Sequence, residues 1–291
     1  MTKKFSRLMA LSLSVFSEKF AWRLRRFYVP VSKDALVLEV GSGGNPYGRS
    51  NVLLDSYIET RERHYAKLVN DRPTVIGFGE NLPFKDDAFD FLIAAHVLEH
   101  STDPEKFLSE MQRVSKAGYI EVPDAFMERL NPYKDHRLEV TVRDNKLLIT
   151  KKSWWQHDPE LVELYEAQVK KYVTRELMPR HPFAFHTRYF WSGKIEFEIR
   201  NPAVDCGWPP VEDESHDVAG RQQSSPVRDL LLSLTRLLTS QSSRNATLNI
   251  QHLLQCPKCR AGGLNLVGSA QVCDSCGATF KIVEGMPILT E

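Results

Sequence analysis

The stretch Leu36-Val37-Leu38-Glu39-Val40-Gly41-Ser42-Gly43-Gly44-Asn45-Pro46 decides the fold. An apolar run of strand length flows straight into a glycine cluster, which puts backbone amides and small residues where a ligand must approach the main chain closely. Outward from it lie Val52-Leu53-Leu54-Asp55, Thr74-Val75-Ile76-Gly77-Phe78, Phe89-Asp90-Phe91-Leu92-Ile93-Ala94 and Tyr119-Ile120-Glu121-Val122. These are short, nearly continuous apolar runs of the kind buried on both faces, so they predict the strands of a parallel sheet. Helical patterns separate them. The clearest opens at Asp103-Pro104, an N-cap followed by a proline suited to the first helical position, with Phe107, Leu108, Met111 and Val114 on its inner face. Alternating strands and helices predict a doubly wound α/β domain that binds ligands at the carboxyl ends of its strands.

Asp55 ends the second run, where a carboxylate can accept both ribose hydroxyls of a nucleoside. An ordinary strand-to-turn glycine cluster followed by a surface aspartate is the alternative. Four signatures in order carry a resemblance: Glu39-x-Gly41-Ser42-Gly43; Asp55; Glu80-Asn81-Leu82-Pro83-Phe84 with Phe89-Asp90; and His96-Val97-Leu98-Glu99-His100 with Arg113-Val114, Gly118 and Pro123. Residues 35 to 125 resemble class I S-adenosylmethionine-dependent methyltransferases, in particular the small-molecule type 11 group. The resemblance implies a Rossmann-like sheet, with residues 185 to 200 supplying its last two strands as a hairpin. It also implies S-adenosylmethionine as cofactor. Glu39, Gly41, Ser42 and Gly43 would hold its amino-acid end, Asp55 its ribose, and Gly79 and Glu80 its adenine edge.

Two departures stand out. Only six residues separate Gly44 from Asn51, whereas a parallel crossover normally needs a dozen or more, usually with a helix. The first helix is therefore shortened, displaced or lost, and Asn45, Arg49 and the loop amides would have to replace its positive N-terminus. The second departure is Phe78, where the family commonly carries an Asp that reads the adenine amino group; Phe can stack on a ring but cannot read it.

Methyl transfer from a sulfonium is an in-line displacement that needs alignment, and a base only when the acceptor is a hydroxyl or ammonium. His96 and His100 follow the fourth strand, four residues apart and so on one face of a helical turn. They are the candidate acid-base groups, with capping or packing as the alternative. Glu121 joins them as a candidate catalytic residue, and it and Asp124 could orient a polar acceptor. His136 and His157 fall in the 125 to 180 insertion, where they could line a lid. In the same insertion Arg137 to Val142 and Leu147 to Lys151 flank Asp144-Asn145, a good hairpin turn. Trp154, Trp155 and Trp191 read as core.

Five cysteines are too few for a disulfide framework in 291 residues, and four of them form Cys256-Pro-Lys-Cys259 and Cys273-Asp-Ser-Cys276, with 13 residues between the pairs. Four thiolates at this spacing predict a closed, structural Zn2+ site. Within a ribbon domain over 248 to 291, residues Leu253 to Leu289 resemble the small zinc-ribbon proteins that activate RNA and protein methyltransferases, here fused to a methyltransferase domain. Such a ribbon could cover an apolar face or recruit substrate.

The charge is +1 overall, from 38 Lys and Arg against 37 Asp and Glu, which gives no global reason to expect nucleic acid. The distribution is uneven. Lys3, Lys4, Arg7, Lys19, Arg23, Arg25 and Arg26 face Glu18 alone in a basic head. Phe5, Leu8, Met9, Phe16 and Phe20 recur there at helical spacing, so residues 1 to 30 predict an amphipathic helix, packed on the domain or resting on anionic lipid. A Rossmann-like domain over 31 to 202 follows, then a proline-rich linker and a leucine-faced helix over 203 to 247. No run is long enough to span a bilayer, and Ser17-Glu18-Lys19-Phe20 offers no leader cleavage site. Together these features point to a cytoplasmic protein, peripheral to the membrane if its head binds lipid. The expected activity is methyl transfer to a small-molecule or lipid-linked acceptor. RNA or protein methylation with the ribbon as docking element, and a non-catalytic binding protein, are the alternatives.

Overall fold

A computed structural model of the chain describes residues 5–15, 17–60, 63, 67–155, 158–211, 233–236 and 238–290. Phe16, His157 and most of the predicted linker, including Leu230, Leu231 and Leu237, lie outside these described residues. The chain forms two compact units. One comprises Met1–Pro30, Ala95–Pro104 and Tyr119–Glu212; the other comprises Val31–Ala94, Glu105–Gly118 and Asp213–Glu291.

The second unit carries the Rossmann-like core. β1 (Val37–Val40), β2 (Val52–Asp55), β3 (Thr74–Ile76) and β4 (Phe91–Ala95) run parallel in the order β3-β2-β1-β4. The order reverses beside β1, which makes its carboxyl end the topological switch point where doubly wound sheets bind ligands. Val37, Leu38, Leu53, Val75 and Ile93 are fully buried, each worth about 1.5–3 kcal/mol relative to exposure. A helix opening at Pro104, α3 (Pro104–Val114), buries Phe107, Leu108, Met111 and Val114, as its pattern predicts.

The β1–β2 crossover contains no helix: turns and bends fill residues 41–51. Side chains satisfy its backbone instead. Glu39 accepts from Tyr47 N (2.9 Å) and Ser50 Oγ (2.6 Å), and buried Arg72 donates to the carbonyls of Tyr47, Gly48 and Ser50. Helical residues from late in the chain pack beside it. Arg236 donates to Gly44 O, Asn51 Nδ2 donates to Gln241 Oε1 and Asn245 Oδ1, and a Cβ on Gly48 would lie 1.9 Å from Thr239 Oγ1. Arg236 and Thr239 lie in one helical stretch and Asn245 in the next, with Gln241 between them, while Leu234 and Leu238 are exposed.

The same unit ends in a four-stranded antiparallel sheet, β10 (Leu264–Val267), β11 (Ala270–Cys273), β12 (Thr279–Val283) and β13 (Met286–Pro287). Its tail caps the edge strand β3: Leu289 N donates to Ile76 O at 2.7 Å, and Met286 packs with Ile76 and Leu68. An otherwise open sheet edge, a template for aggregation, is thereby covered.

In the first unit, α1 (Arg7–Val15) and α2 (Glu18–Leu24) form the basic head. Met9 and Ala21 are buried, while Leu8, Leu11, Val15 and Phe20 are exposed. β5 (Ala117–Pro123) lies beside β8 (His186–Ser192), and β6 (Leu138–Arg143) and β7 (Lys146–Lys151) form the hairpin expected around Asp144-Asn145, both residues left-handed as a tight turn requires. The hairpin predicted over 185 to 200 does not form as such. β9 (Phe197–Ile199) leaves β8 and pairs in parallel with β7, Leu147 opposite Phe197. Left-handed Gly193 and the bond from Glu196 N to Tyr189 Oη turn the chain away.

Candidate active site

The glycine loop at the end of β1 holds Gly41 and Gly43 in the left-handed region, at φ +68° and +58°, where side chains are strained. The amides of Gly41 and Ser42 both donate to Leu54 O, which fastens the loop over β2. Ser42 is buried, and its Oγ has no hydrogen-bond partner among the described residues. Asp55 sits at the end of β2 as predicted, with its carboxylate already engaged. Oδ2 accepts from Gly43 N (2.9 Å), and Oδ1 accepts from Arg63 Nη1 (2.7 Å) and Tyr57 N (3.3 Å).

Two residues that sequence reasoning missed therefore border this site. Arg63 also donates to the carbonyls of Tyr57 and Ile58, and Tyr57 meets Phe78 edge to face, centroids 5.9 Å apart. An aromatic residue two positions after the carboxylate was the available signal for Tyr57; nothing in the sequence singled out Arg63. Glu39 spends one carboxylate oxygen on the crossover, as described. Gly79 starts the turn Gly79–Asn81, and a Cβ there would stand 2.2 Å from the ring of Phe107. Its missing side chain thus admits α3. Glu80 follows in the same turn.

In the first unit, a buried ionic cluster surrounds Glu121. Arg25, just past α2, grips it in a two-pronged pair, Nε to Oε2 at 2.8 Å and Nη2 to Oε1 at 3.0 Å, the strong geometry for a guanidinium and a carboxylate. Tyr119 Oη also donates to Glu121 and itself accepts from Arg188 Nε (2.8 Å). Arg25 lies 3.6 Å over the ring of Trp22, which packs against Phe183. Burial works against a charged Glu121, but His96 and Arg25 hold its carboxyl well below the usual range.

His96 is left-handed at φ +58°, a strained conformation for a side-chain-bearing residue. Its Nε2 is 3.4 Å from Glu121 Oε1 and its Nδ1 3.6 Å from Glu99 Oε1, and its side chain is 43% exposed. Burial disfavours the imidazolium, yet the two carboxylates raise its pKa to about 9. Near neutrality His96 therefore holds a proton. His100 lies in the turn Leu98–His100, and its Nδ1 meets Asp135 O at 3.1 Å. Asp124 caps α4 (Ala125–Leu130) and accepts from Thr141 and Thr187, and His136 pairs with Glu128. Trp191 is in the core, whereas Trp154 is exposed. A cavity of about 500 Å³ opens in this unit, bordered by Phe5, Phe126, Phe183, His186, Arg143 and Arg188.

The four paired cysteines converge. Cys256 Sγ lies 3.8 Å from Cys276 Sγ, and Cys259 Sγ 3.6 Å from Cys273 Sγ. A tetrahedral ion with thiolate bonds of about 2.3 Å sets its sulfurs about 3.8 Å apart, so the arrangement fits one. Amides of Ser275 and Cys276 approach Cys273 Sγ at 3.4 Å, and those of Ala261 and Gly262 lower the Cys259 thiol to about 6.

Residues 51–120 match the family model described as a methyltransferase domain. That stretch runs from the start of β2 into β5 and contains Asp55, Gly79 and the His96–His100 segment. An uncharacterized protein of Methanocaldococcus jannaschii is 36% identical over 84 residues, 28% of this chain and 40% of that protein. Ajmaline N-methyltransferase of Rauvolfia serpentina is 42% identical over 43 residues, 15% of each. The chain thus spans well under two thirds of the length of these relatives. Among solved structures, a SAM dependent methyltransferase from Aquifex aeolicus is similar over 41% of this chain and 71% of that one, at 20% identity and a TM-score of 0.28. Among the described residues no helix is long and apolar enough to cross a membrane.

Proposed function

We propose that this protein is an S-adenosylmethionine-dependent methyltransferase acting on a small or lipid-linked acceptor. The observation that carries the reading is the pairing of the left-handed Gly41–Gly43 loop at the end of β1 with Asp55 at the end of β2, the loop lying just before, and Asp55 within, the stretch 51–120 that matches a methyltransferase domain. The Gly41–Gly43 loop, whose amides are already bonded to Leu54 O and Asp55, would hold the amino-acid end through Ser42 Oγ and the close approach its glycines allow. Asp55 would accept the ribose hydroxyls after exchanging Arg63 for them, and Phe78 and Tyr57 offer ring faces for the adenine. When bound, the cofactor supplies an electrophilic methyl group, so the chain needs chiefly to align the acceptor and exclude water. The cavity in the first unit, with aromatic rings beside Arg143 and Arg188, suits an acceptor with an apolar body and an anionic group.

In this reading the cysteine module is a structural Zn2+ ribbon. Its tail covers β3, and Arg260 clamps Glu110 of α3, which favours a stabilising role over substrate recruitment. The exposed leucines of α1 are available for contact with a lipid surface. Incubation of the zinc-loaded full chain with methyl-labelled cofactor and fractionated small-molecule and lipid extracts tests the proposal. Label should enter one fraction with wild type and fail to enter it with Asp55→Ala; label entering only RNA or protein would overturn the acceptor class.

A further inference from the structure

We propose that Glu99, His100 and His136 form a second metal site, independent of the cysteines and of the methyl-transfer reading, that takes a borderline divalent cation such as Zn2+ or Co2+. One potential donor atom of each residue lies within 4.8 Å of the other two. Closing on a tetrahedral ion with bonds of about 2.0–2.1 Å would bring the donors to about 3.4 Å, an adjustment within the reach of side-chain rotation.

Proximity alone would also describe an ion-paired cluster, so the hydrogen bonding of each group decides the matter. His100 Nδ1 is 3.1 Å from Asp135 O. A carbonyl only accepts, so Nδ1 carries the hydrogen and the Nε2 lone pair is left for a cation. His136 Nδ1 is 2.6 Å from Glu128 Oε2, and the other oxygen of Glu128 accepts from Lys152 Nζ (2.6 Å) and Tyr133 N (3.1 Å). That carboxylate is thus fixed as an acceptor, and His136 Nε2 is again the free nitrogen. A carboxylate or carbonyl behind each imidazole is the arrangement that orients metal-binding histidines and raises their basicity.

Glu99 supplies the independent observation. Its side chain is 3% exposed, Oε1 faces His96, and Oε2 is buried with no hydrogen-bond partner among the described residues. A buried carboxylate oxygen without a donor is costly unless something cationic meets it. The backbone holds the pieces in register, since Arg137 N donates to Glu99 O at 2.7 Å and so fixes the position next to His136. Two imidazoles and one carboxylate suit zinc-like ions rather than calcium or magnesium, and three protein ligands leave one tetrahedral position for a water or a ligand oxygen.

Cobalt titration of the full chain, stripped of metal, tests this. Thiolate-bound Co2+ shows intense near-ultraviolet charge-transfer absorption, whereas an imidazole-carboxylate site gives only weak visible bands. Wild type should bind a Co2+ equivalent with the weak signature, whether or not the cysteines take one of their own. His100→Ala should lose that equivalent with the thiolate bands and the metal-free melting curve unchanged. Glu99→Gln, which keeps the side-chain shape, should weaken it at least tenfold. A wild-type titration showing thiolate bands alone, or a weak-signature equivalent that persists in both variants, overturns the proposal.

Discussion

Removing Arg25 probes whether the N-terminal segment is part of the ionic cluster around Glu121. The Glu121 side chain is 1% exposed and the Arg25 side chain 13%, and breaking such a pair by deleting one partner typically costs about 3–5 kcal/mol because the remaining charge is left uncompensated. Tyr119 Oη and His96 stay in contact with Glu121, so Arg25→Ala belongs at the lower end, about 3 kcal/mol. With a urea dependence of about 2 kcal/mol/M, the unfolding midpoint should fall by about 1.5 M. Arg25→Lys keeps the charge and loses the two-pronged geometry, so an intermediate shift is expected. The double variant Arg25→Ala with Glu121→Gln should cost less than the two single changes summed, since the pair between them can be lost only once. A midpoint shift below about 0.3 M for Arg25→Ala, or simple additivity in the double variant, would refute the reasoning.

Other consequences are equally direct. Arg63→Ala frees Asp55 of its guanidinium, and S-adenosylmethionine affinity should rise about fivefold, equivalent to ~1 kcal/mol; equilibrium dialysis reads this, and a weaker affinity would make Arg63 a ligand rather than a competitor. A Cβ on Gly262 would stand 2.6 Å from Cys273 Sγ and 2.5 Å from Asp274 Oδ1, so Gly262→Ala should weaken Zn2+ retention at least tenfold against a competing chelator. Glu110 is partly desolvated, but Arg113 and Arg260 hold its carboxyl below the ordinary value. A depressed folded pKa contributes stability that is complete above the unfolded value of about 4.3 and disappears as pH falls through the folded one. Glu110→Gln should therefore cost about 2 kcal/mol near neutrality, and urea midpoints measured downward from about pH 4.3 should converge with wild type.

The parallel strands were legible because burial on both faces leaves continuous apolar runs, as in Leu36 to Val40 and Phe91 to Ala94. Asp144-Asn145 was legible because a two-residue turn needs φ above zero at both positions. The missing crossover helix could be counted from the six residues between Gly44 and Asn51, but its replacement could not. Asn51 finds Gln241 and Asn245 about 190 residues later in the chain, a separation no local pattern carries. Residues 185 to 200 misled for a related reason. Ser192-Gly193 looks like a hairpin turn, while the choice of β7 as partner for β9 is made by tertiary pairing. At the site, Asp55 was placed by its strand, yet its pairing with Arg63 depends on how a loop folds back. Arg25 was one of several arginines in a basic head, and only the structure shows that it is the one paired with Glu121.

The proposed function requires that the Gly41–Gly43 loop and Asp55 form an S-adenosylmethionine site without a crossover helix. Isothermal titration of the metal-loaded full chain with S-adenosylmethionine measures it most directly. Saturable binding at one equivalent per chain, weakened at least tenfold by Asp55→Ala while the melting curve of the free protein is retained, is the predicted result. No binding heat at millimolar cofactor, from a folded chain with its cysteine site filled, would contradict the account.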